Sequence, residues 1–320
     1  MLIGFVARRL LMAIPIVFVV IVINFTIIHL APGDPVRILV SDVGAPPEYI
    51  EMVRREMGLD KPIYEQLLIY VGRMLLGDFG YSYTWNQPVF SVLLGRVGAT
   101  FLLMFTAFLI SLALGIVLGV TSSKRPYSLT DNLITTSSLV VYSMPNFWVG
   151  MIFLIVFCLH LGLFPTHGMV TVGATGINSV LQILWHLFLP AMALGLSETA
   201  SLCRFTRSGI LEVLRQDYIL TARAKGCDER TVFYRHALRN SLLSIVTILG
   251  LRVRMWFTGS VLIETVFAWP GIGRLLYDSI FARDFNMLMA IFIVVAILTI
   301  LGNLFADVAY ALVDPRIRYK

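Results

Sequence analysis

Residues 10–31 read Leu10-Leu11-Met12-Ala13-Ile14-Pro15-Ile16-Val17-Phe18-Val19-Val20-Ile21-Val22-Ile23-Asn24-Phe25-Thr26-Ile27-Ile28-His29-Leu30-Ala31, 22 residues without an Asp, Glu, Lys or Arg. A helix needs about 20 mostly apolar residues to cross a bilayer core of about 30 Å. Backbone polar groups must be satisfied within the segment there, so such a run reads as a helix rather than a strand. Arg8-Arg9 precedes it and His29-Leu30-Ala31-Pro32-Gly33-Asp34-Pro35 follows. A cleaved signal peptide has a shorter apolar core and small residues at a cleavage site. The run is therefore expected to be a retained anchor.

Five more apolar runs follow, at about 99–121, 133–163, 186–205, 242–263 and 286–313. The chain as a whole is 58% hydrophobic and 14% charged over 320 residues, against about 45–50% and about 25% in soluble domains. That apolar surface cannot all be hidden in one soluble globule, because roughly half of a folded surface faces water. Disordered, collagen-like and disulfide-scaffold classes fail on the same composition. The expectation is an all-α polytopic membrane protein with six transmembrane helices. The 133–163 run is over-long, and Pro145 in Ser143-Met144-Pro145-Asn146 should kink it, since proline lacks the backbone donor and clashes with the preceding turn. Between the first two runs, residues 32–98 form a charged segment with an amphipathic stretch at 48–57, long enough for a small folded element on the membrane face.

The net charge of +6 suggests nucleic acid or an anionic membrane surface, but in a membrane protein its distribution matters more. With the N-terminus inside, the inner segments carry fifteen Lys and Arg and the outer segments eight. The acids of the 32–98 segment outnumber its bases. Six crossings with both termini cytoplasmic satisfy the positive-inside rule. Cys158, Cys203 and Cys227 are scattered, with no C-x-x-C, and indicate neither a disulfide framework nor a metal site. The five histidines include no i,i+4 pair, so no metal is expected.

The richest inner segment lies at about 206–240. Its centre is Asp217-Tyr218-Ile219-Leu220-Thr221-Ala222-Arg223-Ala224-Lys225-Gly226-Cys227-Asp228-Glu229-Arg230. Physically it reads as two short helices around a break. Ala222 and Ala224 favour helix, Gly226 suits a left-handed helix terminus, and Asp228 can cap the next helix. Small residues there permit close approach of a partner. Taken on charge alone, it is a basic loop that anchors topology.

This loop resembles the coupling loop of ABC importer permeases, whose pattern has Glu-Ala-Ala, three residues, then Gly. Gly226 matches the glycine, while the opening triplet falls on Leu220-Thr221-Ala222 without the Glu. Tyr218 through Gly226 with His236-Ala237-Leu238-Arg239-Asn240 is more similar to the dipeptide/oligopeptide/nickel permease subunits. The same resemblance extends to Ala7-Arg8-Arg9-Leu10, Pro32-Gly33-Asp34-Pro35 and Leu59-Asp60-Lys61-Pro62. It continues in Tyr142-Ser143-Met144-Pro145-Asn146-Phe147-Trp148, Glu264-Thr265-Val266-Phe267-Ala268-Trp269-Pro270-Gly271-Ile272-Gly273 and Asp314-Pro315-Arg316-Ile317-Arg318.

The resemblance implies a type I ABC importer permease fold. It divides the chain into an N-terminal helix (1–31), a small extracytoplasmic segment (32–98), a five-helix permease domain (99–313) and a cytoplasmic tail (314–320). The location implied is the bacterial inner membrane. The partners implied are a second, homologous permease subunit, two cytoplasmic ABC ATPases and an extracytoplasmic binding protein, with no nucleic acid. No G-x-x-x-x-G-K-[ST] phosphate loop occurs, so the chain is expected to be no enzyme and to hold no cofactor, ATP and Mg being bound by the ATPases. Docking of the ATPase is expected at Tyr218, Thr221, Ala222, Arg223, Ala224, Lys225, Gly226 and Asp228. Within or near the membrane, Pro145, Asn146, Glu198, Arg252, Arg254, Glu264, Trp269, Pro270, Gly271 and Gly273 are candidates for the pore or its gate. Asp307 falls near a span as well. Pairing among the polar groups, or a plain turn at 269–273, are the bland readings of the same residues.

Short peptides are the leading cargo, and nickel chelates, glutathione, opines and oligosaccharides fit the same subfamily. An ion-driven secondary transporter or channel is the other class. Glu198 and Asp307 would be its only seeds, and they form no motif. A membrane enzyme finds no support, since G-x-S-x-G and H-E-x-x-H are absent.

Overall fold

A computed structural model describes residues 2–30, 46–56, 60–82, 84–171, 173, 176–242 and 260–313. Among these the fold is almost wholly helical, with one two-residue hairpin, Tyr81–Ser82 against Gln87–Pro88. We number the helices α1 (Leu2–Leu30), α2 (Pro47–Glu56), α3 (Ile63–Leu75), α4 (Val89–Lys124), α5 (Leu129–Ser143) and α6 (Asn146–Phe153). Then come α7 (Ile177–Leu214), α8 (Asp217–Ala224), α9 (Glu229–Thr231), α10 (Val261–Val266), α11 (Ile272–Phe281) and α12 (Phe285–Val313). Wider π-helical turns extend α6 over Leu154–His160 and α9 over Val232–Leu238.

Among the described residues four helices, α1, α4, α7 and α12, are long and apolar enough to span a membrane, and α5 with the extended α6 makes a fifth candidate bent by 100°. The fifth expected crossing in chain order, 242–263, lies mostly in 243–259, outside the described residues. The helices overrun the apolar runs. The second begins at Val89 rather than Ala99, and the fourth covers Ile177–Leu214 rather than His186–Phe205. Hydrophobicity falls at the ends of a span while helix propensity continues, so the apolar run marks the membrane thickness and not the helix. The bend at Pro145 is as expected and sharper than a kink. Helix α5 stops at Ser143, and Pro145 restarts the chain as the N-terminal flank of α6.

Small residues pack the centre. Ala107, Ser111, Gly115 and Gly119 form a buried stripe at spacing four on α4. They receive α7 so closely that a Cβ on Gly115 would lie 2.8 Å from Leu202 Cβ, and one on Gly119 2.8 Å from the Cys203 carbonyl oxygen. Membrane helices lack a hydrophobic drive to associate, and such stripes let dispersion forces do it. Helix α1 runs antiparallel to α12. Arg9 meets Asp307 at 3.0 Å near one end, while Ile21 and Phe25 share a cluster with Met287, Ala290 and Ile291 near the other. The start of α1 and the end of α12 therefore lie together. At the far end α3 docks on α1, with His29 Nε2 3.1 Å from Gln66 Oε1. The hairpin is fastened there too, Ser82 donating to Asp284 and Asn286 Nδ2 donating to the Tyr81 carbonyl at 3.0 Å.

Candidate functional site

The segment after α7 folds as a peg. At the end of α8 the Gly226 N–H donates to the Arg223 carbonyl at 2.9 Å and the Cys227 N–H to the Ala222 carbonyl at 3.2 Å. This paired closure requires a left-handed residue between them, and Gly226 has φ +81°. The chain then turns into α9, where Asp228 Oδ2 accepts from the Thr231 N–H at 3.2 Å. Hydrogen bonds from Thr231 hold the Asp228 carboxyl below its ordinary range. Arg223 grips Glu229 with two bonds, 2.9 and 3.1 Å, and Asn240 Nδ2 donates to the Tyr218 hydroxyl at 2.6 Å. The break expected at Gly226 and the cap expected at Asp228 are both present.

One detail differs from expectation. Ala222 does not face a partner, because its methyl group is inside the peg's own core with Ile210, Ile219, Val232 and Ala237. Side chains at i and i+3 of one helix share a face, so Ile219 and Ala222 turn inward together. Tyr218, Thr221, Arg223, Ala224, Lys225, Gly226 and Asp228 are exposed, as is Leu220 at 57%. Around Gly226 there is open space. The peg thus shows a small-residue tip beside two bases and two apolar side chains, on a packed base.

The candidates at 264–273 form a buried strap. Glu264 is fully buried. It accepts from the Thr100 hydroxyl at 3.0 Å and the Arg274 N–H at 3.0 Å, while Thr100 accepts from the Ile272 N–H at 2.7 Å. Trp269, also fully buried, donates through Nε1 to the Ala99 carbonyl at 2.8 Å. Ala268, left-handed at φ +49°, has its carbonyl held by Arg274 Nη1 at 2.6 Å. A Cβ on Gly271 would sit within 2.5 Å of Thr100 Oγ1, and one on Gly273 2.9 Å from the Val261 backbone. Both glycines are therefore set by close approach. Glu264, Trp269, Gly271 and Gly273 are buried and Pro270 half-buried, all within one chain's packing.

The remaining candidates are dispersed. Pro145 is exposed and Asn146 half-buried at the 100° bend. Gly150 of α6 meets Ile263 and Phe267, so a Cβ there would lie 3.0 and 3.1 Å from them. Glu198 is half-buried on α7. Asp307 is paired with Arg9. Arg252 and Arg254 fall outside the described residues. Among the described residues no three His, Cys, Asp or Glu side chains converge as a metal site.

The most heavily bonded side chain among the described residues was not among the candidates. Asp131, 1% exposed at the start of α5, accepts from Arg207 Nε and Nη2, both at 2.7 Å, and from the Ser122 hydroxyl at 2.6 Å. It also accepts from the Tyr127 N–H at 2.8 Å and the Thr135 hydroxyl at 3.2 Å. Its sequence signal is slight: an acid in the first turn of an apolar run.

Comparison with known proteins covers the chain from end to end. A family described as "Binding-protein-dependent transport system inner membrane component" matches residues 112–319, and the N-terminal family of the same systems matches residues 1–104. The oligopeptide transport system permease protein AppB of Bacillus subtilis is 42% identical over 317 residues, 99% of both chains. The dipeptide transport system permease protein DppB of Escherichia coli is 37% identical over 335 aligned positions, and the glutathione transport system permease protein GsiC of the same species is 38% identical over 317. Each of these alignments also takes in 99% of both chains. Among solved structures, a chain of the MetNI methionine ABC transporter superposes with TM-score 0.56 at 16% identity, over 70% of this chain and 96% of that one. That likeness concerns the fold alone.

Proposed function

The chain belongs to the family of binding-protein-dependent transport system inner membrane components, and we propose that it is the permease subunit of an ATP-driven ABC importer for short peptides. Carrying this reading is the match to permeases named for oligopeptides and dipeptides across 99% of the chain. An extracytoplasmic binding protein delivers the peptide, and the bundle passes it inward by alternating access. ATP and Mg are bound by two partner ATPases, and the chain itself catalyses nothing.

The chain crosses the inner membrane six times with both termini cytoplasmic, 242–263 being the fifth crossing. The meeting of Arg9 with Asp307 supports both termini on one side, since it brings the start of the first span to the end of the last, and the arginine-rich 204–239 segment supports the cytoplasmic side through the positive-inside rule. The units are the anchor (1–31), the extracytoplasmic segment (32–98), the permease domain (99–313) and the tail (314–320), although α4 runs unbroken across the boundary at 98. A second, homologous permease completes the pore.

The peg docks in the ATPase through its exposed face: Tyr218, Leu220, Thr221, Arg223, Ala224, Lys225, Gly226 and Asp228. A groove that closes on a small-residue tip needs the open space around Gly226. Pro145 and Asn146, at the bend, act as the gate's hinge, and the Glu264–Gly273 strap anchors the helix on which that hinge swings. Glu198 lines the path with at most one of Arg252 and Arg254, since residues two apart in sequence do not share a helix face.

The test is reconstitution of the chain with its partner permease, ATPases and binding protein in liposomes, using labelled di- and tripeptides. ATP-dependent accumulation of peptide is expected. Uptake by this chain alone under an ion gradient without nucleotide would replace the proposal with a secondary transporter. A second cargo is favoured by one observation, the 38% identity to a glutathione permease. Competition by glutathione against the labelled peptide separates the two.

A further inference from the structure

The Asp131 site joins three helices at the peg's end of the bundle. Ser122 belongs to α4, Tyr127 to the turn after it, Asp131 and Thr135 to α5, and Arg207 to α7. A carboxylate with 1% exposure and five donors is fully satisfied, and its fork-to-fork contact with Arg207 fixes direction as well as distance. Arg207 stands two turns before the end of α7, and Ile210, Val213 and Leu214 of that same end pack into the peg's core with Ile219 and Ala222. One turn earlier, the Arg204 guanidinium lies over the Tyr142 ring at 4.7 Å. Helix α5 is therefore held to α7 at its beginning and at its end, and its end is the break before Pro145.

We propose that the Asp131–Arg207 pair is the joint that makes α5 follow α7 when the peg is displaced, so that peg motion reaches the bend at Pro145. Both are positioning residues and touch no cargo. The proposal rests on the importer reading, and adds to it the pair of side chains through which displacement passes to the broken helix. Without the joint, α7 slides past α5. The peg then still engages the ATPases while the bend does not respond, and ATP is spent without transport.

The experiment measures ATP hydrolysis and peptide uptake in the same proteoliposomes holding the complete complex. Asp131→Asn keeps the shape and removes the charge. Arg207→Lys keeps the charge and loses the two-pronged geometry. With normal assembly, the ratio of ATP hydrolysed to peptide imported is expected to rise at least about 5-fold in Asp131→Asn, the lower end of measured couplings between sites, and by less in Arg207→Lys. A ratio equal to that of the native complex, whether both activities persist or fall together, overturns the proposal and leaves the pair a structural one. The native complex run alongside reads the importer assignment separately, since that assignment fails if it shows no ATP-driven uptake.

If the variants do not assemble, spin labels on exposed Leu129 of α5 and Ser208 of α7, in a complex with Cys158, Cys203 and Cys227 replaced, report the joint in its native state. Their separation is expected to change by less than ~2 Å between nucleotide-free and ATP-trapped complexes. A change of more than ~5 Å, the size of a one-turn slip between helices, overturns it.

Discussion

The Tyr218 hydroxyl accepts a hydrogen bond from the Asn240 side chain at 2.6 Å, closing the peg across 22 residues of chain. It ties the first turn of α8 to the helix that leaves the peg, so the peg is a folded unit and not a strand of linker. Tyr218→Phe removes one bond at an exposed site, with an expected cost of about 0.5–1.5 kcal/mol. Hydrogen exchange of the amides between 217 and 240 should quicken, while exchange in α4 and α12 stays as it was.

Gly226 separates two roles that one substitution confounds. At φ +81° a β-branched residue is strained, by about 1–3 kcal/mol. Asparagine tolerates that conformation and also fills the open space. Gly226→Val is expected to leave the protein inserted but to lose both uptake and stimulation of ATP hydrolysis by loaded binding protein. Gly226→Asn should keep the peg folded by hydrogen exchange and still lose most of its stimulation. Full stimulation in Gly226→Asn would remove the tip from the docking surface.

The strap makes a separate prediction. Gly271→Ala drives a methyl group against the buried Glu264 carboxylate and Thr100. Overpacking of this kind costs about 1–3 kcal/mol. A lower unfolding temperature in detergent is expected, with the peg's exchange unchanged. Thr100→Ala on the same background should not rescue it, because that change takes a donor from the buried Glu264 carboxylate and an acceptor from the Ile272 N–H.

Features set by local chemistry could be read before the structure was seen. Proline kinks or breaks a helix from its interior, so a bend of the 133–163 run was legible at Pro145, whereas Pro15 of α1 and Pro190 of α7 stand inside helices that continue through them. A left-handed terminus with a capping Asp two residues later announced the turn at Gly226 and Asp228. What depends on pairing at long range could not be read. Nothing near Glu264 shows that its carboxylate is met by Thr100, 164 residues away, and Asp131 finds Arg207 across 76. Arg207 entered the sequence argument only as one inner-face charge among fifteen. The inward turn of Ala222 follows from where α7 carries the peg, a tertiary fact. The stripe Ala107, Ser111, Gly115 and Gly119 was visible at its spacing of four, yet such residues also occur scattered through any span. Only its fit against α7 shows its use.

The proposal that energy enters this bundle through the peg is tested most directly at Leu220, exposed at 57% on its outer face. A photo-crosslinking amino acid at position 220 in the assembled complex should yield one adduct, between this chain and an ATPase subunit, and Gly226→Val should abolish it. An adduct with the extracytoplasmic binding protein, or labelling of position 220 by a membrane-impermeant reagent added outside intact cells, would contradict it.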